Sequence, residues 1–161
     1  MDNLSYRSRL MSLLTTREDV YALEEKLENL YTLIGKVNTT LEPKIKDILD
    51  YNTFNAFLED FKNLRLQPNN QTDLENYIDF IKKKIEKINY LKLTLAITPS
   101  KELIDEIFYW INKNIGQDVV LDLTVDKRLI AGSIIEYGGR FKNYSIQAKL
   151  DAFWAKNPNL I

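Results

Sequence analysis

The apolar residues of this 161-residue chain first change their spacing at residue 90. Ahead of it they recur every three or four residues. Val20, Leu23, Leu27, Leu30, Ile34 and Val37 do so, and so do Leu74, Ile78, Ile81, Ile85 and Ile88. That is the period of a helix with one buried stripe. From Leu91 the interval falls to two: Leu91, Leu93, Leu95 and Ile97 alternate with Lys92, Thr94, Ala96 and Thr98. Alternation of that kind marks a strand with one covered face. Both periods in one chain, in separate blocks, predict an α+β protein.

Residues 1–89 are therefore expected to form an N-terminal all-helical bundle. Leu4, Leu10, Leu13 and Leu14 suggest a short leading helix. The Val20–Val37 seam follows, and Asn38-Thr39-Thr40 breaks it. Thr40 is the expected cap of a short helix carrying Leu41, Ile45, Ile48 and Leu49, with Pro43 tolerated in its first turn. Phe54, Phe57, Leu58 and Phe61 predict the next helix, capped by Asn52 or Thr53. "RLQPNNQ" is a loop, and Thr72-Asp73-Leu74-Glu75 reads as a capping box. Helices with single apolar stripes satisfy one another as a bundle.

Residues 90–161 are expected to form a small β-α-β-β-α domain. After the first strand, Thr98-Pro99 opens a helix striped by Leu103, Ile104, Ile107, Phe108, Ile111 and Ile115, with Gly116 as its stop. Val119, Leu121, Leu123 and Val125 alternate as a second strand. A hairpin follows. Ser145 is then the expected cap of a last helix carrying Ile146, Leu150, Phe153 and Trp154. No flexible linker or internal repeat separates the two blocks.

Composition narrows the function classes. Apolar residues make up 45% and charged residues 28%, the balance of an ordinary globular chain. The formal charge is -1, which argues against a nucleic-acid partner. There is no cysteine and no histidine. Disulfides, thiolate metal sites and the commonest general base are thereby excluded, so an enzyme ranks last and no cofactor or metal is expected. No stretch reaches the ~20 apolar residues of a membrane span, and "MDNLSYRSRLMSLLTTRED" has no secretory core. Membrane association is expected only through a partner.

The densest stretch is "VDKRLIAGSIIEYGGRF", residues 125–141. A phosphate cradle needs several glycines opening a helix. Gly138-Gly139 instead lie between strands and supply the positive φ of a tight turn. Gly132 is expected where a helix packs closely. Asp126 is expected to cap a single turn rather than to act as an acid. Lys82-Lys83-Lys84 with Lys87 form a basic run, either a solvated face or a contact for an acidic partner or anionic lipid headgroups. Tyr109, Trp110, Phe153 and Trp154 either complete a small core or serve as contact anchors.

Over residues 91–153 the chain resembles the delta subunit of F-type ATP synthases, the oligomycin-sensitivity-conferring protein family. The shared pattern is a strand and a helix ending near a glycine, then a strand, an Asp with Leu-Ile and glycine, a hairpin glycine, and Ser before the last helix. Asp126, Leu129, Ile130, Gly132, Gly138 and Ser145 match it as structural motif residues. Ala131 departs from it, as does Asn143-Tyr144, and the helical half is shorter than is usual in the family. The resemblance implies a non-catalytic stator subunit supporting proton-driven ATP synthesis. It implies that residues 1–89 bind the catalytic head through alpha-subunit N-terminal helices, and that residues 90–161 bind a b-type peripheral-stalk subunit. The implied place is the inner face of the cell membrane, or the matrix side of the mitochondrial inner membrane. A small RNA-binding or helical adaptor module is the alternative. Balanced charge and the lack of strand aromatics spaced for stacking count against RNA.

Overall fold

The computed structural model describes residues 8–34 and 40–157. Leu4, Val37, Asn38 and Thr39 lie outside the described residues. The chain divides into two compact units, one drawn from residues up to 14 and 18–88, the other from 15–17 and from 89 onward.

The first unit is helical: α1 (Arg17–Ile34, whose first residue belongs to the second unit), α2 (Glu42–Ile48), α3 (Tyr51–Leu64) and α4 (Gln71–Ile85). The α1 stripe of Val20, Leu23, Leu27, Leu30 and Ile34 is buried throughout. Leu74, Ile78, Ile81 and Ile85 of α4 are buried likewise. Between α3 and α4 the rings of Phe57, Phe61 and Tyr77 cluster, with centroids 4.2 to 5.4 Å apart. Each such side chain removed from water contributes about 1.5–3 kcal/mol.

The helix starts differ from the sequence expectation, for one reason. An Asx side chain two residues ahead of the first free N–H groups reaches two of them at once. Asp50 therefore starts α3, accepting from the Asn52 and Thr53 N–H groups at 3.1 Å each; neither Asn52 nor Thr53 is the cap. Asn70 starts α4 in the same way, so Thr72 lies inside the helix and no capping box forms. Asp73 turns back and accepts from the Gln67 N–H. Thr40 is not the cap of α2. That position is Leu41, and Asn69 from the far loop accepts the Leu41 and Glu42 N–H groups at 3.0 Å each. The leading segment is a 3-10 turn, Met11–Leu13, with Leu10 and Leu14 buried. What holds it is Asp60 of α3, which is fully buried. It accepts from Ser8 Oγ, from the Arg9 and Leu10 N–H groups at 2.6 and 3.2 Å, and from the Tyr77 hydroxyl at 2.7 Å.

The second unit is a four-stranded sheet with two helices: β1 (Asn89–Leu95), α5 (Lys101–Asn114), β2 (Val119–Val125), β3 (Ser133–Tyr137), β4 (Arg140–Asn143) and α6 (Ile146–Lys156). The order is β2-β1-β3-β4, with β1 parallel to β2 and the other pairs antiparallel. The expected β-α-β-β-α order is one strand short, because the hairpin contributes two. Leu91, Leu93, Val119 and Leu121 share one sheet face, on which Ile104, Ile107, Phe108 and Ile111 of α5 pack. The other face carries Asp122, Lys92, Glu136 and Phe141 in register across all four strands. Ile97 is not on the strand; β1 ends at Leu95, and Ile97 is exposed beyond it. Ser100, not Pro99, stands at the start of α5, where it accepts the Leu103 N–H.

Thr15–Arg17 line the outer edge of β2. The Leu121 N–H donates to the Thr15 carbonyl at 3.0 Å. Arg17 pairs with Asp122 at 2.7 Å and lies over the Tyr90 ring. The edge at β4 is open, and all four of its residues are exposed.

Candidate functional site

The stretch from Asp126 to Gly132 is a chain of backbone constraints. Asp126 accepts the Arg128 N–H at 3.0 Å and so caps a 3-10 turn, Lys127–Leu129. The Arg128 guanidinium also donates to both its carboxylate oxygens. These bonds, the side chain's first and then the backbone's, pull the Asp126 carboxyl from the usual 3.8 down to about 2. Leu129 is buried and anchors the turn. Ile130 then stands at φ 63° and ψ -58°. The Ala131 N–H closes onto the Leu129 carbonyl at 2.6 Å, making a γ-turn centred on Ile130. Gly132 has φ +92°, and a Cβ there would lie 2.5 Å from the Tyr144 carbonyl oxygen and 2.9 Å from Ser145 Cα. Its close neighbour is thus the backbone just ahead of α6.

That backbone is pinned. The Tyr144 N–H donates to the Ser133 carbonyl at 2.8 Å and the Ile146 N–H to the Ala131 carbonyl at 2.9 Å. Ser145 is buried, takes its N–H bond to Asn143 Oδ1, and accepts the Ala148 N–H to cap α6. Gly138 and Gly139, at φ 56° and 72°, make the β3–β4 turn. Nothing crowds either one, so conformation alone requires them there.

Beyond its start α6 is almost unsupported: none of its residues is buried. Ile146, Leu150, Phe153 and Trp154 share one face and are 41–49% exposed. Phe153 and Trp154 meet edge to face at 5.3 Å. On α5, Tyr109 and Trp110 are 70% and 57% exposed, outside the core-facing stripe. The four aromatic residues therefore do not complete a core. They stand open on two helices, and large open apolar faces mark places where another surface docks.

Charge divides this unit as well. Residues 127–157 carry Lys127, Arg128, Arg140, Lys142, Lys149 and Lys156 against Glu136 and Asp151, a net of +4. Residues 89–126 carry a net of -3. The basic run in the first unit is partly engaged: Lys82 pairs with Glu28 and lies over Tyr31, and Lys84 lies over Phe80. Among the described residues no cluster of acidic side chains is placed to hold a metal ion, and no helix is long and apolar enough to cross a membrane.

The model of the ATP synthase delta (OSCP) subunit family matches residues 45–156. The chain belongs to that family. A delta subunit of ATP synthase from Thermosipho africanus (strain TCF52B) is 31% identical over 67 residues, covering 42% of this chain and 37% of the relative. The chain thus aligns with little more than a third of that relative's length. A chain from the Polytomella F-ATP synthase structure, in a primary rotary state, is 24% identical with a TM-score of 0.37. That match covers 45% of this chain and 94% of the other, and the likeness is too slight to establish a shared fold. The family match contains every motif residue from Asp126 to Ser145 and both aromatic pairs.

Two features had no sequence signal. The γ-turn at Ile130 puts a β-branched residue where glycine is ordinary. The buried Asp60 looks in the sequence like any carboxylate on a helix.

Proposed function

We propose that this chain is a delta-type stator subunit of a rotary F-type ATP synthase. It is non-catalytic and links the catalytic head to the peripheral stalk, so that the head does not turn with the rotor. The supporting observation is the α6 face, whose Ile146, Leu150, Phe153 and Trp154 are open in a chain of the delta (OSCP) family. In this reading the all-helical bundle of residues 1–89 holds N-terminal helices of the alpha subunits. The domain of residues 90–161 grips the b-type stalk subunit, with Tyr109, Trp110, Phe153 and Trp154 as contacts. Asp126, Leu129, Ile130, Gly132, Gly138 and Ser145 then act as the frame that sets α6 in place. The subunit sits at the membrane only through the complex, on the inner face of the cell membrane or on the mitochondrial matrix side.

Torque resistance suits such surfaces. It needs wide contact at two places rather than a reactive pocket, and two linked contacts hold far more tightly than either alone. An amphipathic helix laid against an apolar face supplies one such contact. The test is affinity purification of the tagged chain from solubilised membranes of its own organism. Alpha and stalk subunits are expected together; recovery of neither overturns the proposal. A Phe153→Ala, Trp154→Ala double variant is expected to lose the stalk subunit and keep alpha.

A further inference from the structure

We infer that Ile130 and the open face of α6 form one docking surface, and that its occupant is an amphipathic helix whose apolar stripe is flanked by carboxylates. The inference rests on the stalk-binding reading above and names the chemistry of that partner.

The first ground is strain without compensation. A β-branched residue at φ 63° is a backbone outlier, and such strain persists where the surroundings hold it and function uses it. A strained apolar residue would ordinarily be turned inward, where burial offsets the strain. Ile130 is instead 62% exposed. Leu129, just before it, is buried, so the turn presents one side chain to the core and the next to solvent. A docked surface covering Ile130 supplies the missing burial.

The second ground is continuity. The Ala131 carbonyl, next to Ile130, accepts the N–H of Ile146, the first residue of the α6 stripe. Gly132 keeps the Tyr144–Ser145 backbone pressed against the same loop. The exposed isoleucine therefore lies in the loop whose backbone seats Ile146, the first residue of the stripe formed by Ile146, Leu150, Phe153 and Trp154.

The third ground is charge. On a helix, Lys149 and Lys156 are two turns apart and border one flank of the apolar face. Both are exposed, and so are Arg140 and Lys142 on the open edge strand. The segment that carries the face, residues 127–157, has a net of +4, although Arg128 is paired with Asp126. A helix matched to it places carboxylates beside its apolar anchors, which sets register and raises the association rate at low salt.

The test is calorimetric titration of the full chain with the soluble part of the b-type stalk subunit from the same organism, at roughly 50 and 200 mM salt, on either side of a 10 Å screening length. Ile130→Gly removes the side chain and the strain together. The expected result is an equal or higher Tm with binding about tenfold weaker. A Lys149→Glu, Lys156→Glu double variant is expected to bind about tenfold more weakly at low salt and to lose most of the salt dependence. Unchanged affinity in Ile130→Gly overturns the inference, and so does a lowered Tm, which would make Ile130 a structural support. Unchanged or tighter binding by the charge variant overturns the acidic partner. Light scattering that finds a dimer abolished by Phe153→Ala would make a second copy the occupant and overturn it too. A wild-type chain that binds no stalk fragment brings down the stalk reading itself.

Discussion

Helices α1 and α6 carry the same kind of sequence and meet opposite fates. Both space their apolar residues by threes and fours. In α1 every member of the stripe from Val20 to Ile34 is buried. In α6 not one residue is, although Phe153 and Trp154 are larger than anything in the α1 stripe. A stripe states only that a helix has a face to cover. It does not state whether the cover is part of the same chain. An eleven-residue helix is marginal in isolation, so α6 depends on its cap and on the loop that seats it.

The contrast predicts that stability is concentrated in the closed faces and binding in the open ones. The largest expected effect is at Asp60. Asp60→Ala leaves the Tyr77 and Ser8 hydroxyls and two backbone N–H groups without their acceptor, and is expected to cost roughly 4 kcal/mol in urea unfolding. Gly132→Leu comes next. It forces a side chain into the Tyr144–Ser145 backbone at a positive φ, and about 3 kcal/mol of unfolding free energy is expected to be lost. The second unit should unfold first, with partner binding lost as a consequence.

The most direct comparison sets Leu27→Ala against Leu150→Ala. The first empties a buried site and is expected to cost about 3 kcal/mol. The second removes a half-open side chain and is expected to cost about 0.5 kcal/mol or less, while weakening the proposed stalk contact. Equal losses in thermal or urea melts would break the contrast. Asp50→Ala, which removes the cap of α3, is expected to cost about 1 kcal/mol.

The smallest effect is acid dependence. Lys26 and Thr53 hold the Asp50 carboxyl far below its usual range, and Arg128 holds Asp126 at about 2. Folding depresses both values, so their contributions are fully present above the unfolded value of 3.8 and fade as pH falls toward the folded one. For Asp126 that window runs from about pH 4 to about pH 2. Asp126→Asn is expected to flatten the pH dependence of Tm across it, slightly, because the pair is exposed to solvent.

Much of the architecture was legible because it is local. The change of period at residue 90 separates helical from strand spacing, and Gly138-Gly139 announce a turn that needs two positive φ angles. Ser145 sits where a serine two residues after an asparagine and ahead of an apolar stripe starts a helix. The starts of α2, α3 and α4 were misplaced by one to three residues. Several polar residues compete at each start, and reach decides among them. At α2 the winner, Asn69, comes from a loop beyond the following helix.

The sequence by itself determined which segments are helix and strand, where the hairpin turns, and the pattern that marks the delta (OSCP) family. Those depend on neighbours within a few residues, and a few residues are what periodicity and turn chemistry register. Only the tertiary structure decided that Asp60 gathers donors some fifty residues away, that Thr15–Arg17 line the edge of β2, and that α6 keeps its aromatic face open. It also decided that Ile130 is held at positive φ in solvent. Each of these joins segments distant in the chain or depends on what covers a surface. A burial stripe looks the same in sequence whether the covering face belongs to the same chain or to another.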